Sequence, residues 1–144
     1  MPERVTFPGL EPGFYLRCPV DWSVWPNFSE SEFTCSHTGG CRMNAGFMTR
    51  LQRLRTMYGK PMKVTSGYRD PSHPIEVKKS RPGAHSSGRA VDIAVQGEDA
   101  LRLVQLAIQC GFTGIGVQQK GSGRFIHLDD LTGPDWPRPT IWSY

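Results

Sequence analysis

Residues 89–95, Arg-Ala-Val-Asp-Ile-Ala-Val, alternate so regularly that they read as a half-buried strand. Val91, Ile93 and Val95 point one way, while Ala90 and Asp92 point the other. A lone carboxylate beside small apolar neighbours on a strand is unfavourable unless it meets a cation. Asp92 therefore asks the rest of the chain for a positive partner. His85 lies seven residues earlier, across a turn made pliable by Ser86, Ser87 and Gly88, so its imidazole can fold back toward Asp92. Neutral imidazole and carboxylate are both common zinc ligands.

A third candidate stands in Arg-Phe-Ile-His-Leu-Asp-Asp, residues 124–130. On a strand there, Phe125, His127 and Asp129 share one face while Ile126 and Leu128 take the other. Placed beside residues 90–93, this strand brings His127 to the same point as Asp92. Three protein ligands leave a fourth zinc position for water, which is the pattern of a catalytic rather than a structural site. From spacing alone, the alternative is three unrelated polar residues.

The remainder of the chain supplies a scaffold of ordinary kind. Its 144 residues suffice for one core without obligatory staples. Hydrophobic residues at 38% and charged residues at 21% describe a folded, water-soluble domain. No apolar run approaches the roughly 20 residues of a membrane helix. The opening stretch MPERVTFPGLEPGFY has no apolar segment behind a basic start, so a secretory signal is not expected and delivery outside the cytoplasm would need another device. A net charge of +4 suits an anionic partner such as cell wall, nucleic acid or acidic lipid, or simply a mildly basic protein. The densest basic cluster, Lys78-Lys79-Ser80-Arg81, is short and has no interleaved aromatic residue for stacking bases, so nucleic acid is not the expected partner.

Residues 1–43 read as an irregular wrap, with Pro2, Pro8, Pro12, Pro19 and Pro26 too closely spaced for long helices. Phe14, Tyr15, Trp22, Trp25, Phe28 and Phe33 either pack on the body or line a carbohydrate-binding strip. Asn44 caps a helix over 44–58, with Phe47, Leu51, Leu54 and Tyr58 at helical spacing and Gly59 and Pro61 as the stop. Residues 62–65 form a short strand and 70–84 a loop. Glu98 to Cys110 reads as a second helix with Leu101, Val104 and Ile108 on one face, and strands over 114–118 and 124–129 follow. The expected fold is one α+β domain, a small mainly antiparallel sheet flanked by two main helices, with 44–130 as core and 131–144 as a C-terminal extension. Among Cys18, Cys35, Cys41 and Cys110, the stretch Cys35-Ser-His37-Thr-Gly-Gly-Cys41 admits a structural metal or a Cys35–Cys41 disulfide. Its spacing is looser than a zinc knuckle, and free thiols are the default.

Ser66-Gly-Tyr-Arg69, then Ser-x-x-Gly-x-Ala-x-Asp around His85 to Asp92, then a final strand bearing His127, resembles the zinc D-Ala-D-Ala carboxypeptidase and L-alanyl-D-glutamate peptidase family. The likeness covers roughly residues 27–130 and includes Gly-Lys-Pro at 59–61 and Gly-Phe-x-Gly-Ile-Gly at 111–116. The family is related in fold to the Hedgehog signalling domain. The resemblance implies Zn2+ held by His85, Asp92 and His127. It implies Arg69 as the cation for a substrate carboxylate or an oxyanion; an ion pair with Asp70 or Asp92 is its structural alternative. Many family members carry a carboxylate three residues before the last histidine, where Arg124 stands here. Asp129 is the substitute, as general base or as hydrogen-bond partner of a ligand imidazole. Asp130 points to the other face; Ser66 and Tyr68 shape the turn, with Tyr68 also within reach of the site; and His73 belongs to the loop surface or borders the cleft.

The implied activity is zinc-dependent hydrolysis of amide bonds in peptidoglycan stem peptides, by a monomer acting on the cell wall as a phage-type lysis or virion enzyme. A non-catalytic zinc module of the same fold is the rival, kept open by the missing upstream carboxylate. A basic nucleic-acid-associated protein is a third reading, which predicts strongly salt-dependent DNA binding.

Overall fold

The structure, a computed structural model, describes residues 21–144. Cys18, Phe14, Tyr15 and the prolines at 2, 8, 12 and 19 lie outside the described residues. The first long helix, α1 (Ala45–Tyr58), begins where Asn44 Oδ1 accepts the Phe47 backbone N–H at 2.9 Å. A cap of this kind contributes about 1 kcal/mol. It ends at Gly59, whose φ of 75° is open to glycine at little cost. Phe47, Met48, Leu51, Leu54 and Tyr58 form its buried face. Each of the two leucines, wholly out of water, contributes roughly 2 kcal/mol.

A single helical turn, α2 (Pro74–Val77), interrupts the stretch expected to be loop throughout. Pro74 presets its first residue, and His73 Nδ1 accepts the Ile75 N–H at 3.1 Å. The second long helix, α3 (Gly97–Gln109), falls where expected but is rotated, so that of the expected face Val104 alone packs against the core. Ala100, Leu103 and Ala107 enter the core, whereas Leu101 and Ile108 stand in solvent at 71% and 60% exposure. Successive helical residues are about 100° apart, so shifting the stripe by one position turns the helix.

Among the described residues the sheet has strands β1 (Lys63–Ser66), β2 (Ala90–Ala94), β3 (Gly114–Gln118), β4 (Phe125–Asp129) and β5 (Thr140–Ser143). Their spatial order is β1-β2-β4-β3-β5, antiparallel throughout except for the parallel β3–β5 pair. The expected α+β class and mainly antiparallel sheet are therefore present. Strand β5 is an addition, lying in the stretch read as an extension. Val91, Ile93, Ile115, Ile126 and Leu128 meet α1 and α3 in one core, so both helices cover the same face of the sheet. Trp25, Phe28 and Phe33 are also packed into this core rather than lining a strip. The opposite face is left to Asp92, His127, Gly114 and Gly116, with Asp92 directly across from His127.

Gly88 fixes where β2 begins. Its φ is 76°, its carbonyl accepts the Asn44 N–H at 2.8 Å, and a Cβ there would collide with the Arg42 carbonyl. The turn after His85 is thereby tied to the N-terminus of α1.

Candidate metal centre

His85 sits on a 3-10 turn, Ala84–Ser87, held against the Ser66–Arg69 segment. Ser86 Oγ donates to the Arg69 carbonyl at 2.6 Å, and the Arg69 N–H donates to the His85 carbonyl at 3.2 Å. These bonds lay the imidazole over the end of β1, where Nδ1 lies 2.8 Å from the Gly67 carbonyl. Strand register then delivers Asp92 and His127. Asp92 Oδ1 is 3.2 Å from His85 Nε2 and 3.0 Å from His127 Nδ1. One ligand atom from each of the three lies within 4.8 Å of the others, and both histidines are buried.

The outer contacts decide what this cluster can hold. A carbonyl accepts at His85 Nδ1, and the Asp129 carboxylate accepts at His127 Nε2, 2.7 Å away. With a proton fixed on each outer nitrogen, the neutral rings turn lone pairs, not protons, toward Asp92. Two lone pairs and a carboxylate oxygen converging in a buried space are unfavourable unless a cation sits among them. The protein alone meets the need with protons. Burial opposes a charged His127, but Asp129 and Asp92 outweigh it and raise its pKa. Burial likewise pushes the Asp92 carboxyl up, and the bonds from His127 and His85 more than reverse this, leaving it well below the usual range. A divalent metal answers the same geometry with one ion, and the donor set of two imidazoles and a carboxylate suits zinc.

Asp129 is wholly buried behind His127. Arg138 grips it through two bonds, Nε to Oδ1 at 2.9 Å and Nη2 to Oδ2 at 2.8 Å. Burial raises its pKa, but Arg138 and His127 bring it down to about 2. Of the two roles open to it in the sequence, this geometry fits support of the imidazole. As a base it would need to reach the cleft, and both its oxygens are engaged inside the protein. Asp130 points away and pairs with Arg89 and Arg50.

Arg69 does face the cleft, but its ion-pair partner is neither Asp70 nor Asp92. Its Nη1 lies 3.1 Å from Glu76 Oε2 and its Nη2 donates to Ser66 Oγ at 3.2 Å. Glu76 is a buried carboxylate that also receives Lys79 Nζ at 3.0 Å and the Gly83 N–H at 2.6 Å. Burial raises its pKa, but the Gly83 N–H, Lys79 and Arg69 bring it down to about 2. It joins the arginine, α2 and the loop leading to His85.

The three clustered residues open onto a cleft of about 400 Å³ whose walls include Arg69, Lys79, Trp136, Arg138, Trp142 and Tyr144. Glu76, Lys79, Arg138, Trp142 and Tyr144 lie in no motif of the sequence that points to the site. The alternation Trp142-Ser-Tyr144 carried a strand signal for the last two; nothing local marked Glu76. Tyr68 is buried, with its hydroxyl 3.4 Å from Asp70, and is not among the residues lining the cleft. Ser66 shapes the turn as expected, accepting from Arg69 beside His85.

The cysteine-bearing loop lies apart from this centre. Cys35 and Cys41 are free thiols, and burial pushes the Cys41 pKa up to about 11. Cys35 Sγ accepts the Asp70 N–H at 3.3 Å. The His37 ring packs edge-on against His73, which caps α2. Among the described residues, the compact cluster of potential metal ligands is His85, Asp92 and His127.

Residues 26–129 match the family model described as Peptidase M15, which takes in more than half of the chain. No curated protein matches the chain.

Proposed function

The chain belongs to the peptidase M15 family, and on that premise we propose that it is a zinc-dependent hydrolase of amide bonds in peptidoglycan stem peptides. The observation that carries this reading is the convergence of His85 Nε2, His127 Nδ1 and Asp92 Oδ1, with each imidazole pinned from outside in the tautomer that frees its inner nitrogen. Zinc held there would polarise the scissile carbonyl and lower the pKa of water toward neutrality.

The protein's own groups then orient the substrate. Arg69, with one edge fixed by Glu76 and Ser66, offers a guanidinium to a substrate carboxylate or to the oxyanion. Lys79, on the same buried carboxylate, adds positive charge to that wall. Asp129 keeps His127 in its tautomer and balances Arg138, so the role we assign it is ligand support.

One observation favours a second reading. Asp92 is the one carboxylate among the described residues lining the cleft, and it belongs to the ligand cluster. A non-catalytic zinc module that binds wall or a protein partner would need no further carboxylate. No described helix is long and apolar enough to cross a membrane. We place the protein's action at the cell wall, reached through a phage-type partner or as part of a virion, as a monomer.

Digestion of purified peptidoglycan with and without a chelator, with identification of the new termini, tests the proposal. Release of D-Ala marks carboxypeptidase action, and a cut between L-Ala and D-Glu marks endopeptidase action. Zinc-loaded protein that yields no new termini would favour the binding module.

A further inference from the structure

The segment after the matched residues builds a wall of the cleft. Strand β5 runs parallel to β3 with Trp142 opposite Gly116, and Gly116 is in turn opposite His127. Alternation along the chain puts Trp142 and Tyr144 on the face of the sheet that carries the ligand cluster. The Trp142 ring packs 5.1 Å from the His127 ring, and the Tyr144 ring packs 5.2 Å from Phe125.

Gly116 leaves the space in which these groups meet. A Cβ on it would lie 2.8 Å from Trp142 Nε1 and 2.9 Å from the Tyr144 hydroxyl oxygen. The hydroxyl therefore sits over bare backbone, one strand away from His127. The Trp142 indole nitrogen and the Tyr144 hydroxyl both border this space, and among the described residues no carbonyl or carboxylate accepts the phenolic proton. The cationic walls differ in this respect, since Glu76 engages Arg69 and Lys79 and Asp129 engages Arg138.

We infer that the Tyr144 hydroxyl is a catalytic hydrogen-bond donor, directed at the oxygen that gains charge when water adds to the scissile carbonyl. The inference rests on the peptidase reading above and adds to it a residue beyond the matched segment. No bond to Tyr144 forms or breaks, and its proton stays on the phenol throughout. Burial is the largest of the influences that raise its pKa, so the donor proton is retained across the neutral range. A donor of this kind acts mainly on the transition state, because the planar carbonyl carries far less charge than the tetrahedral adduct.

Tyr144→Phe removes the hydroxyl and keeps the ring on Phe125. It is compared with the unaltered protein for zinc content, melting temperature, steady-state kinetics and binding of two probes, phosphinate analogues of D-alanyl-D-alanine and of L-alanyl-D-glutamate. The expected result is unchanged zinc and stability, kcat lower by roughly 100-fold, KM within about twofold, and a matching loss of affinity for the phosphinate that the unaltered protein binds. Unchanged kcat with unchanged phosphinate affinity overturns the assignment. So does a raised KM at constant kcat, which signals ground-state contact only, and so does a loss of zinc or stability, which signals a structural role. If the unaltered protein binds zinc but cuts no wall peptide, the peptidase reading fails and takes this inference with it. If it cuts and Tyr144→Phe cuts equally well, only this inference fails.

Discussion

Asp129 meets His127 on the side of the imidazole turned away from Asp92, with Oδ2 at 2.7 Å from Nε2. Asp129, open in the sequence as base or as partner of an imidazole, stands behind His127 and outside the lining of the cleft. Arg138 closes the arrangement from outside the matched segment, and its own side chain is only 7% exposed.

Asp129→Ala should weaken zinc binding about 10- to 100-fold, because the supported imidazole loses its orientation and basicity. It should also cost roughly 3 kcal/mol of stability, since Arg138 is left buried without its partner. Competition titration against a chromophoric chelator and urea unfolding measure the two effects. A base role makes the opposite forecast, with activity lost and zinc affinity intact.

Zinc should stabilise the protein through His85, Asp92 and His127. Free zinc at 100 times its dissociation constant adds about 3 kcal/mol, visible as a raised melting temperature that a chelator reverses. His85→Ala should abolish both the shift and stoichiometric zinc in metal analysis. Stoichiometric zinc retained by that variant would break the ligand assignment.

Glu76 ties acid stability to the cleft. Its pKa falls on folding, from an ordinary value of 4.5 to about 2. A group depressed in this way stabilises the fold fully above about pH 4.5, and the contribution drains away as pH falls toward 2. Glu76→Gln should cost roughly 3 kcal/mol at neutral pH, leaving Arg69 and Lys79 without their shared anion. Urea midpoints of the two proteins should converge between pH 4.5 and 2. A gap that stays constant across that window would show that the ion pairs contribute nothing.

Gly116→Ala forces a methyl group into the place where Trp142 and Tyr144 meet. A loss of about 1–3 kcal/mol is expected, with a changed tryptophan fluorescence spectrum as the wall moves off the sheet. An alanine variant with unaltered fluorescence and stability would mean that β5 does not lie on β3 in solution.

The face chosen by α3 can be checked directly. Leu103→Ala should cost about 3 kcal/mol, whereas Leu101→Ser should change stability by less than about 0.5 kcal/mol. Equal losses at the two positions would contradict the helix rotation.

By itself the sequence determined the local elements and the partners that local periodicity demands. Asn44 and Gly59 bounded α1 because capping chemistry is set by neighbours along the chain. Alternation placed Asp92 and His127 on the polar face of their strands because a strand repeats every two residues, whatever it packs against. The Ser66–Arg69 and His85–Asp92 motifs resembled a family to which the chain belongs.

Tertiary structure alone decided the rest. Glu76 was unremarkable in a charged loop until burial made it the shared anion of Arg69 and Lys79. Arg138, Trp142 and Tyr144 reached the cleft only because β5 pairs with β3, a contact between distant residues that no local pattern encodes. The orientation of α3 was set by which side chains fit against the sheet, with Ala100, Leu103 and Ala107 buried and Leu101 and Ile108 left in solvent. Asp129 shared a face with His127 in the sequence, but what its carboxylate meets includes Arg138, nine residues away. Periodicity fixes the face on which a side chain stands; packing fixes what that face meets.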